Sequence, residues 1–246
     1  MSRLPARSRA TFKQGTLTKK APPQYVKDFS GPAAECAAAL KRAGKTRAEA
    51  LSIINAQIGS AIAMLRKAAT DLKRGSRSSK TKDLFHKIFR VKPVFVPTWL
   101  KPTAAIKDRG DVVATRCKRV ADLLASGKFK FFCTINSTNC PDCSNSSSAW
   151  ACSSYGNNRV ICLGNAFWDF MKAGETDSLL AILMHEPFHI YFGSYVTEHR
   201  SDAEKFGGIY CIVQFVFETN SRAAPAWSNK PCTDMAVRKE VGGFLS

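Results

Sequence analysis

The sequence is poor in acidic residues and in histidine. Its 246 residues include 19 Asp and Glu against 37 Lys and Arg, which gives a formal net charge of +18, and it has four His. This balance excludes an acidic chain and favours acidic partners, such as an anionic surface or an acidic polymer. Charge by itself selects neither the particular partner nor the fold.

Long hydrophobic runs are also missing. No apolar run approaches the roughly 18 residues that a membrane-spanning helix needs, so we predict no membrane span. The first 20 residues contain six basic residues, no acidic residue and no hydrophobic periodicity. We therefore predict a basic disordered tail over residues 1–30 and one folded domain over residues 31–246. The tail is expected to be able to bind an acidic polymer or an anionic surface.

No apolar signal-peptide core follows the early arginines Arg3, Arg7 and Arg9. Nine cysteines, several of them crowded between residues 133 and 162, nevertheless suggest an oxidising destination or a metal knuckle. We predict a protein that is secreted, or delivered as an effector outside the producing cell, by a non-classical route; a cytoplasmic protein with reduced thiols is the alternative. A zinc knuckle would use Cys140, Cys143, Cys152 and Cys162.

Hydrophobic periodicity predicts a mostly helical α+β domain. A capping box at Thr46–Glu49 opens one helix, and apolar residues follow it at helical spacing. A second amphipathic helix is predicted near Asp111–Ala125. Charged and aromatic residues alternate over Lys128–Thr134, and a turn precedes a β-rich run at Arg159–Leu163. These patterns predict a small antiparallel sheet that ends in a hairpin.

A basic stretch over Arg66–Lys92 is predicted to be a solvated helix end followed by a loop. Its glycine and serine residues interrupt the helical pattern. The aromatic residues of this stretch are Phe85 and Phe89, and no recognisable nucleic-acid-binding module surrounds them. Nucleic acid is therefore not the expected partner.

The strongest chemical signal is the motif His185-Glu186-Pro187-Phe188-His189. Residues four apart on a helix share a face, so both imidazoles can reach one Zn²⁺ at about 2.0–2.1 Å. Glu186 can then take a proton from the attacking water and pass it to a leaving amine. This arrangement predicts hydrolysis of a protein or peptide substrate; the alternative is a pair of core histidines that binds nothing.

Pro187 lies inside this predicted helix. It lacks the N–H that would bond to the carbonyl of Leu183 and should crowd that carbonyl, at a cost of about 3 kcal/mol. The helix is therefore expected either to kink at the motif or to end early. An early end would destroy the four-residue spacing on which the metal site depends.

A catalytic zinc site needs a third protein ligand. The donors soon after His189 are Glu198, His199, Asp202 and Glu204. Glu198 is the simplest choice for a tight loop that returns to the metal, and His199 and Asp202 are alternative ligands. Glu204 has a structural explanation, because Ser201–Glu204 reads as a capping box that opens a helix extending to Phe217.

Over about residues 36–220 the chain resembles the aspzincins, the family of deuterolysin and the peptidyl-Lys metalloendopeptidases. Four features carry the resemblance: a long helix after an early cysteine, Phe132-Cys133 before a Cys-rich loop, Arg159–Cys162 leading into Asn165–Trp168, and the HExxH helix. The resemblance implies a zincin-like fold and a zinc-dependent endopeptidase activity.

The resemblance also implies roles for particular residues. Glu198, nine residues after the second motif histidine, matches the family's third ligand, which is Asp. Disulfides from Cys36 to Cys133, and from a loop cysteine to Cys162, would match the family's cross-links. The segment Ser148–Ser154 would be the edge strand that pairs with an extended peptide substrate.

Besides Glu198, which stands where the family has Asp, the sequence departs from the family at two further places. Ser201 occupies the position of the family's oxyanion-stabilising Tyr, so Tyr195 and Tyr210 are the candidate transition-state stabilisers. The stretch 206–210 lacks the acidic residue that receives a substrate Lys, so Lys specificity is not implied. These departures keep a second hypothesis open, in which the chain is a non-catalytic, basic, zinc-containing binding or toxin-like protein.

Overall fold

The computed structural model describes residues 23–90, 92–94, 96, 103–136, 138, 140, 151–153, 159–192 and 208–226. Seven α-helices lie in this part of the chain: α1 (Ala33–Ala43), α2 (Arg47–Asp71), α3 (Ser79–Phe89), α4 (Arg109–Ala125), α5 (Asn165–Ala173), α6 (Thr176–Phe192) and α7 (Ile209–Thr219). Four short strands accompany them: β1 (Phe29–Ser30), β2 (Lys130–Phe132), β3 (Ala151–Ser153) and β4 (Val160–Leu163). This content agrees with the predicted mostly helical α+β class.

The four strands form one sheet in the order β1-β2-β4-β3. Strand β2 pairs in parallel with both β1 and β4, and Phe131 lies opposite Ile161. Strand β3 alone runs antiparallel, with Cys152 opposite Cys162. The prediction of an antiparallel sheet is therefore wrong for two of the three pairings. Side-chain alternation along a strand sets which face is buried and carries no information about the direction of the neighbouring strand.

Helix α2 is the central helix of the domain. Its predicted capping box is present: the Thr46 Oγ1 accepts from the backbone N–H of Glu49, and the Glu49 carboxylate accepts from the N–H of Thr46 at 2.7 Å. Apolar residues at helical spacing, including Ile54, Ile58 and Leu65, are buried where α2 packs against α4, α6 and α7.

By length and composition α2 is apolar enough to cross a membrane, and among the described residues it is the one helix that is. The prediction of no membrane span was based on the absence of an uninterrupted apolar run. Helix α2 is apolar enough on average, although polar residues are interspersed along it. This finding is weak evidence for a membrane crossing, because a core helix of a globular domain passes the same test.

The basic stretch contains a helix, α3, in a part of the chain where a loop was predicted. Ser78 begins α3, and its hydroxyl accepts from the N–H of Thr81 at 3.1 Å, so a serine taken as an interruption is a helix N-cap. Phe85 and Phe89 point into the core and stack with each other at 4.3 Å between ring centroids. These aromatics are therefore structural.

The packed domain begins before the predicted boundary at residue 31. Val26 and Phe29 are buried in the main hydrophobic cluster, which extends to Ala224. The Asn55 side chain of α2 accepts from the backbone N–H groups of Tyr25 and Val26 at 2.6 and 2.8 Å. One core therefore includes the end of the predicted tail, and the rest of that tail lies outside the described residues.

Two disulfides fasten the sheet. Cys36 at the start of α1 bonds to Cys133 after β2, and Cys140 bonds to Cys162 in β4. The first is the pairing implied by the aspzincin resemblance, and the second supplies the loop partner for Cys162. The alternative zinc knuckle is wrong in this structure, because two of its four proposed thiolates are consumed by the Cys140–Cys162 bond.

We expect removal of the Cys36–Cys133 bond to lower the free energy of unfolding by about 2–4 kcal/mol. The bond closes a sequence separation of 97 residues, against 22 for Cys140–Cys162. Because loop-closure entropy grows with loop length, the disulfide that closes the longer loop should stabilise the fold by about 1 kcal/mol more than the other. Denaturant unfolding of the two double Cys→Ala variants measures both losses; an equal or larger loss from Cys140→Ala/Cys162→Ala would contradict this ranking.

Candidate metal centre

Helix α6 carries the HExxH motif through the middle of the domain. Its residues from Leu179 to Met184 are all buried, because α6 packs against α2, α4, α5, α7 and strand β3. A helix that is surrounded in this way is apolar on every side. Against that background His185 and Glu186 are exceptional, since they are polar and remain only 5% and 7% exposed.

Pro187 does not interrupt α6. The helix continues from Thr176 to Phe192 with Pro187 inside it. The early end considered from the sequence is therefore wrong. His185 and His189 keep the four-residue helical spacing that places their side chains on one face.

The two motif imidazoles face each other through their Nε2 atoms. These atoms are 3.0 Å apart, and the ring centroids are 4.9 Å apart. Two nitrogens bound to one tetrahedral Zn²⁺ at 2.0–2.1 Å lie about 3.3 Å apart. A separation within a few tenths of an ångström of that value fits two ligands of one metal. It also suits a single hydrogen bond between neutral rings of complementary tautomers.

Tyr210 is brought to this site from α7. Its ring centroid lies 4.6 Å from that of His185, with the planes inclined at 50°, and Tyr210 is buried. The ring therefore forms a wall against His185 and restricts how that imidazole can turn. Of the two tyrosines proposed as transition-state stabilisers, Tyr210 is beside the motif, and Tyr195 lies outside the described residues.

The proposed third ligands are not part of the described structure. Glu198, His199 and Asp202 all lie between residues 193 and 207, outside the described ranges. Within the described residues, no group of three or more His, Cys, Asp or Glu side chains could hold a metal ion. The described part of the site is therefore an imidazole pair with its neighbouring carboxylate.

A covalent anchor next to Tyr210 was missed from the sequence. Cys211 is disulfide-bonded and buried in α7. The bond starts one residue after the tyrosine that contacts His185, and its partner cysteine is not among the side chains that the structure describes. The available signal was the abundance of cysteines, which predicts cross-links without saying which elements they hold.

Strand β3 lies beside the helix that carries the motif. Among the described strands it is one of the two edge strands of the sheet, with β1 at the other edge, and it packs against α6. An edge strand has backbone N–H and C=O groups without a neighbouring strand, and these can pair with an extended peptide. Residues 151–153 of the segment predicted to be an edge strand are therefore at an edge of the described sheet, beside α6; its remaining residues lie outside the described ranges.

Comparison with protein-family models, with curated protein sequences and with solved structures gave no match for this chain.

Proposed function

We propose that this chain is a zinc-dependent metalloendopeptidase with a zincin-like fold that cleaves a protein or peptide substrate. The observation that carries the proposal is the pair of Nε2 atoms of His185 and His189, 3.0 Å apart on one face of α6, with Glu186 between them in the chain. Two imidazoles with one carboxylate ligand, which we assign to Glu198, are a donor set that suits zinc. Zinc, when bound, would polarise the scissile carbonyl and lower the pKa of the attacking water.

The proposed roles of the chain's own residues follow from their positions. Glu186 accepts the proton of the attacking water and then gives it to the leaving amine. Tyr210 holds the His185 ring in orientation through its packing contact. The extended substrate pairs its backbone with β3 and so becomes an added strand of the sheet. Glu198 completes the ligand set, with His199 and Asp202 as the alternatives.

The disulfides and the charge support the proposed location and partners. Disulfides persist in oxidising compartments, which agrees with secretion, or delivery as an effector, by a non-classical route. The net charge of +18 favours an acidic polymer or an anionic surface as a further partner, contacted through the basic tail. Nucleic acid is not proposed, since the aromatics of the basic stretch are buried in the core.

We expect natively purified protein to contain about one zinc per chain and the His189→Ala variant to contain almost none, because a two-histidine site loses an essential ligand. The matched control is His86→Ala, which removes an exposed histidine of α3 and should keep the parental zinc content. Zinc is measured by elemental analysis of the folded proteins.

The other outcomes of this measurement count against the proposal. Zinc retained by His189→Ala would put the metal elsewhere and favour the binding-protein hypothesis. Absence of zinc from the parent after the metal is supplied would leave the two imidazoles as a hydrogen-bonded pair. The third ligand is identified by measuring zinc in three further variants, Glu198→Ala, His199→Ala and Asp202→Ala. The variant that loses zinc marks the ligand.

A further inference from the structure

A basic cleft lies between the end of α2, the turn at residues 103–107 and the first half of α4. Its volume is about 320 Å³. That volume is at the lower end of the roughly 300–1,000 Å³ that is usual for small-molecule sites. Four basic side chains line it: Lys73, Arg74, Lys107 and Lys118. These residues could not be grouped from the sequence, because the chain segments that supply them are far apart.

Two of these basic side chains are already paired with carboxylates, which they share with Arg77 and Arg66. Arg74 is 3.1 Å from the Asp108 carboxylate, and Lys118 is 2.6 Å from Asp122. Lys73 and Lys107 have no carboxylate within 4.0 Å in the described part of the chain. Both are exposed and line the cleft, so it has two lysines without a carboxylate partner among the described residues.

Asp111, the acidic residue of the lining, has its carboxylate turned to other partners. One of its oxygens accepts from the buried guanidinium of Arg77 at 2.7 Å, and the other accepts from the backbone N–H of Lys107 at 2.9 Å. The second bond also fixes the turn that carries Lys107. Thr103 closes the same turn, because its hydroxyl accepts from the N–H of Ile106 at 3.0 Å.

The rest of the lining is small and apolar, with one hydroxyl. It consists of Ala69, Ala104, Ala105 and Ala114 together with Thr115. Alanines leave room for a ligand and offer apolar contact to its carbon skeleton, while a threonine hydroxyl can donate to an oxyanion. The cleft therefore combines two lysines without a carboxylate partner, a hydroxyl donor and an apolar wall of alanines.

We propose that this cleft binds a small organic phosphate monoester in its dianionic form. A phosphate monoester carries a charge of about −1.5 to −2 at pH 7, which matches the two unneutralised ammonium groups of Lys73 and Lys107. Thr115 donates a hydrogen bond to a phosphate oxygen, and the alanine wall contacts the organic group. This inference goes beyond the proposed peptidase function and does not depend on it.

The test is calorimetric titration of the full chain with phenyl phosphate at pH 7.5. The parent should bind one equivalent, and Lys73→Gln/Lys107→Gln should bind at least about tenfold more weakly, because two charge-assisted contacts are lost. The matched control is Lys80→Gln/Lys82→Gln, which removes the same charge from exposed positions of α3 and should bind within about twofold of the parent. Circular dichroism confirms that each variant is folded.

Two further arms test the shape of the cleft and the ligand chemistry. Ala105→Trp keeps every charge and fills the cleft from an exposed position, so it should abolish binding. Inorganic phosphate and the monoanionic phenyl sulfate should each bind more weakly than phenyl phosphate. The proposal is overturned if the parent does not bind, if the control pair loses as much as the cleft pair, if Ala105→Trp still binds, or if all three anions bind alike.

Discussion

Glu186→Gln is expected to lower kcat/KM for peptide hydrolysis by about 10²–10⁴-fold, the usual contribution of a general acid–base group. Gln has nearly the same shape as Glu but cannot accept the proton of the attacking water. Because Glu186 is only 7% exposed, an isosteric change is needed to leave the packing around α6 intact. Zinc content should stay at the parental value, since the proposed ligands are unchanged.

The rate is measured with a quenched-fluorescence peptide library, using parent and variants loaded with the same amount of zinc. Glu175→Gln is the matched control: Glu175 is exposed just before α6, and its carboxylate accepts from the Ser178 hydroxyl at 2.9 Å, a bond that the Gln carbonyl can also accept. Its activity should equal that of the parent.

Two results would contradict the proposed role of Glu186. Full activity in Glu186→Gln would mean that another group handles the proton. A zinc-loaded parent that cleaves nothing in the library would favour the non-catalytic, zinc-containing binding protein. The zinc measurement separates these results, because it reports the metal site whether or not there is catalysis.

The helices could be predicted from the sequence where a signal was local. The Thr46 capping box and the apolar spacing after it involve neighbouring residues of α2, and both are present. The start of α4 was predicted near Asp111, whereas the N-cap is Asp108, whose carboxylate accepts from the N–H of Asp111 at 2.9 Å. The α3 cap at Ser78 was missed because serine is equally typical of loops and of helix N-caps.

The direction of the strands could not be predicted because it depends on the connections. Strands β1 and β2 are separated by four helices, which allow the chain to return and pair in parallel. Between β2 and β4 the chain makes a further crossover, along which β3 is placed at the edge. Local alternation of side chains contains none of this information.

The same distinction applies to the site. The His185–His189 pair could be predicted because both residues lie on one helix, where geometry fixes their separation. Tyr210 was named as a candidate, but its contact with His185 depends on how α7 packs against α6. The third ligand depends on a connection between those two helices, and helical spacing says nothing about it.

A buried charged cluster at the start of α4 could not be predicted either, because its residues are far apart in the sequence. The Arg77 guanidinium donates two hydrogen bonds to Asp108 at 2.7 and 2.8 Å, although the residues are 31 apart in sequence. A further bond of 2.7 Å reaches Asp111. The side chains of Arg77 and Asp108 are 1% and 0% exposed. Removing one partner would therefore leave a buried charge without compensation.

Gly110 is part of this cluster. A Cβ built at this position would lie 2.7 Å from the Cζ and Nη2 atoms of Arg77, so Gly lets the guanidinium pass close to the backbone of α4. An alanine at a helical position normally adds up to about 1 kcal/mol of stability relative to glycine. Loss of stability in Gly110→Ala would thus report displacement of the Arg77 guanidinium.

We expect Arg77→Ala to lower the free energy of unfolding at pH 7 by about 3–5 kcal/mol, because it leaves the buried Asp108 carboxylate without its principal partner. The control is Arg74→Ala. Arg74 also contacts Asp108, but its side chain is 53% exposed, and its removal should cost less than about 1 kcal/mol. Urea unfolding of both variants measures the losses, and equal losses would show that burial of the pair does not matter.

The pH dependence gives an independent test of the same cluster. Burial tends to raise the pKa of Asp108, but the hydrogen bonds from Arg77, Arg74 and the N–H of Asp111, with the Arg77 charge, together hold this pKa below its usual value. A carboxyl whose pKa is lower in the folded state stabilises the fold above its unfolded pKa of about 3.9, and this stabilisation is lost as pH falls through the folded pKa.

In Arg77→Ala the burial effect should dominate and raise the pKa of Asp108. The variant then gains stability when the Asp108 carboxyl is protonated, whereas the parent loses stability. The difference in unfolding free energy between parent and Arg77→Ala should therefore be largest near neutral pH and should narrow as pH falls toward about 4. A difference that stays constant over this range would mean that Arg77 stabilises the fold through packing, rather than through the charge of Asp108.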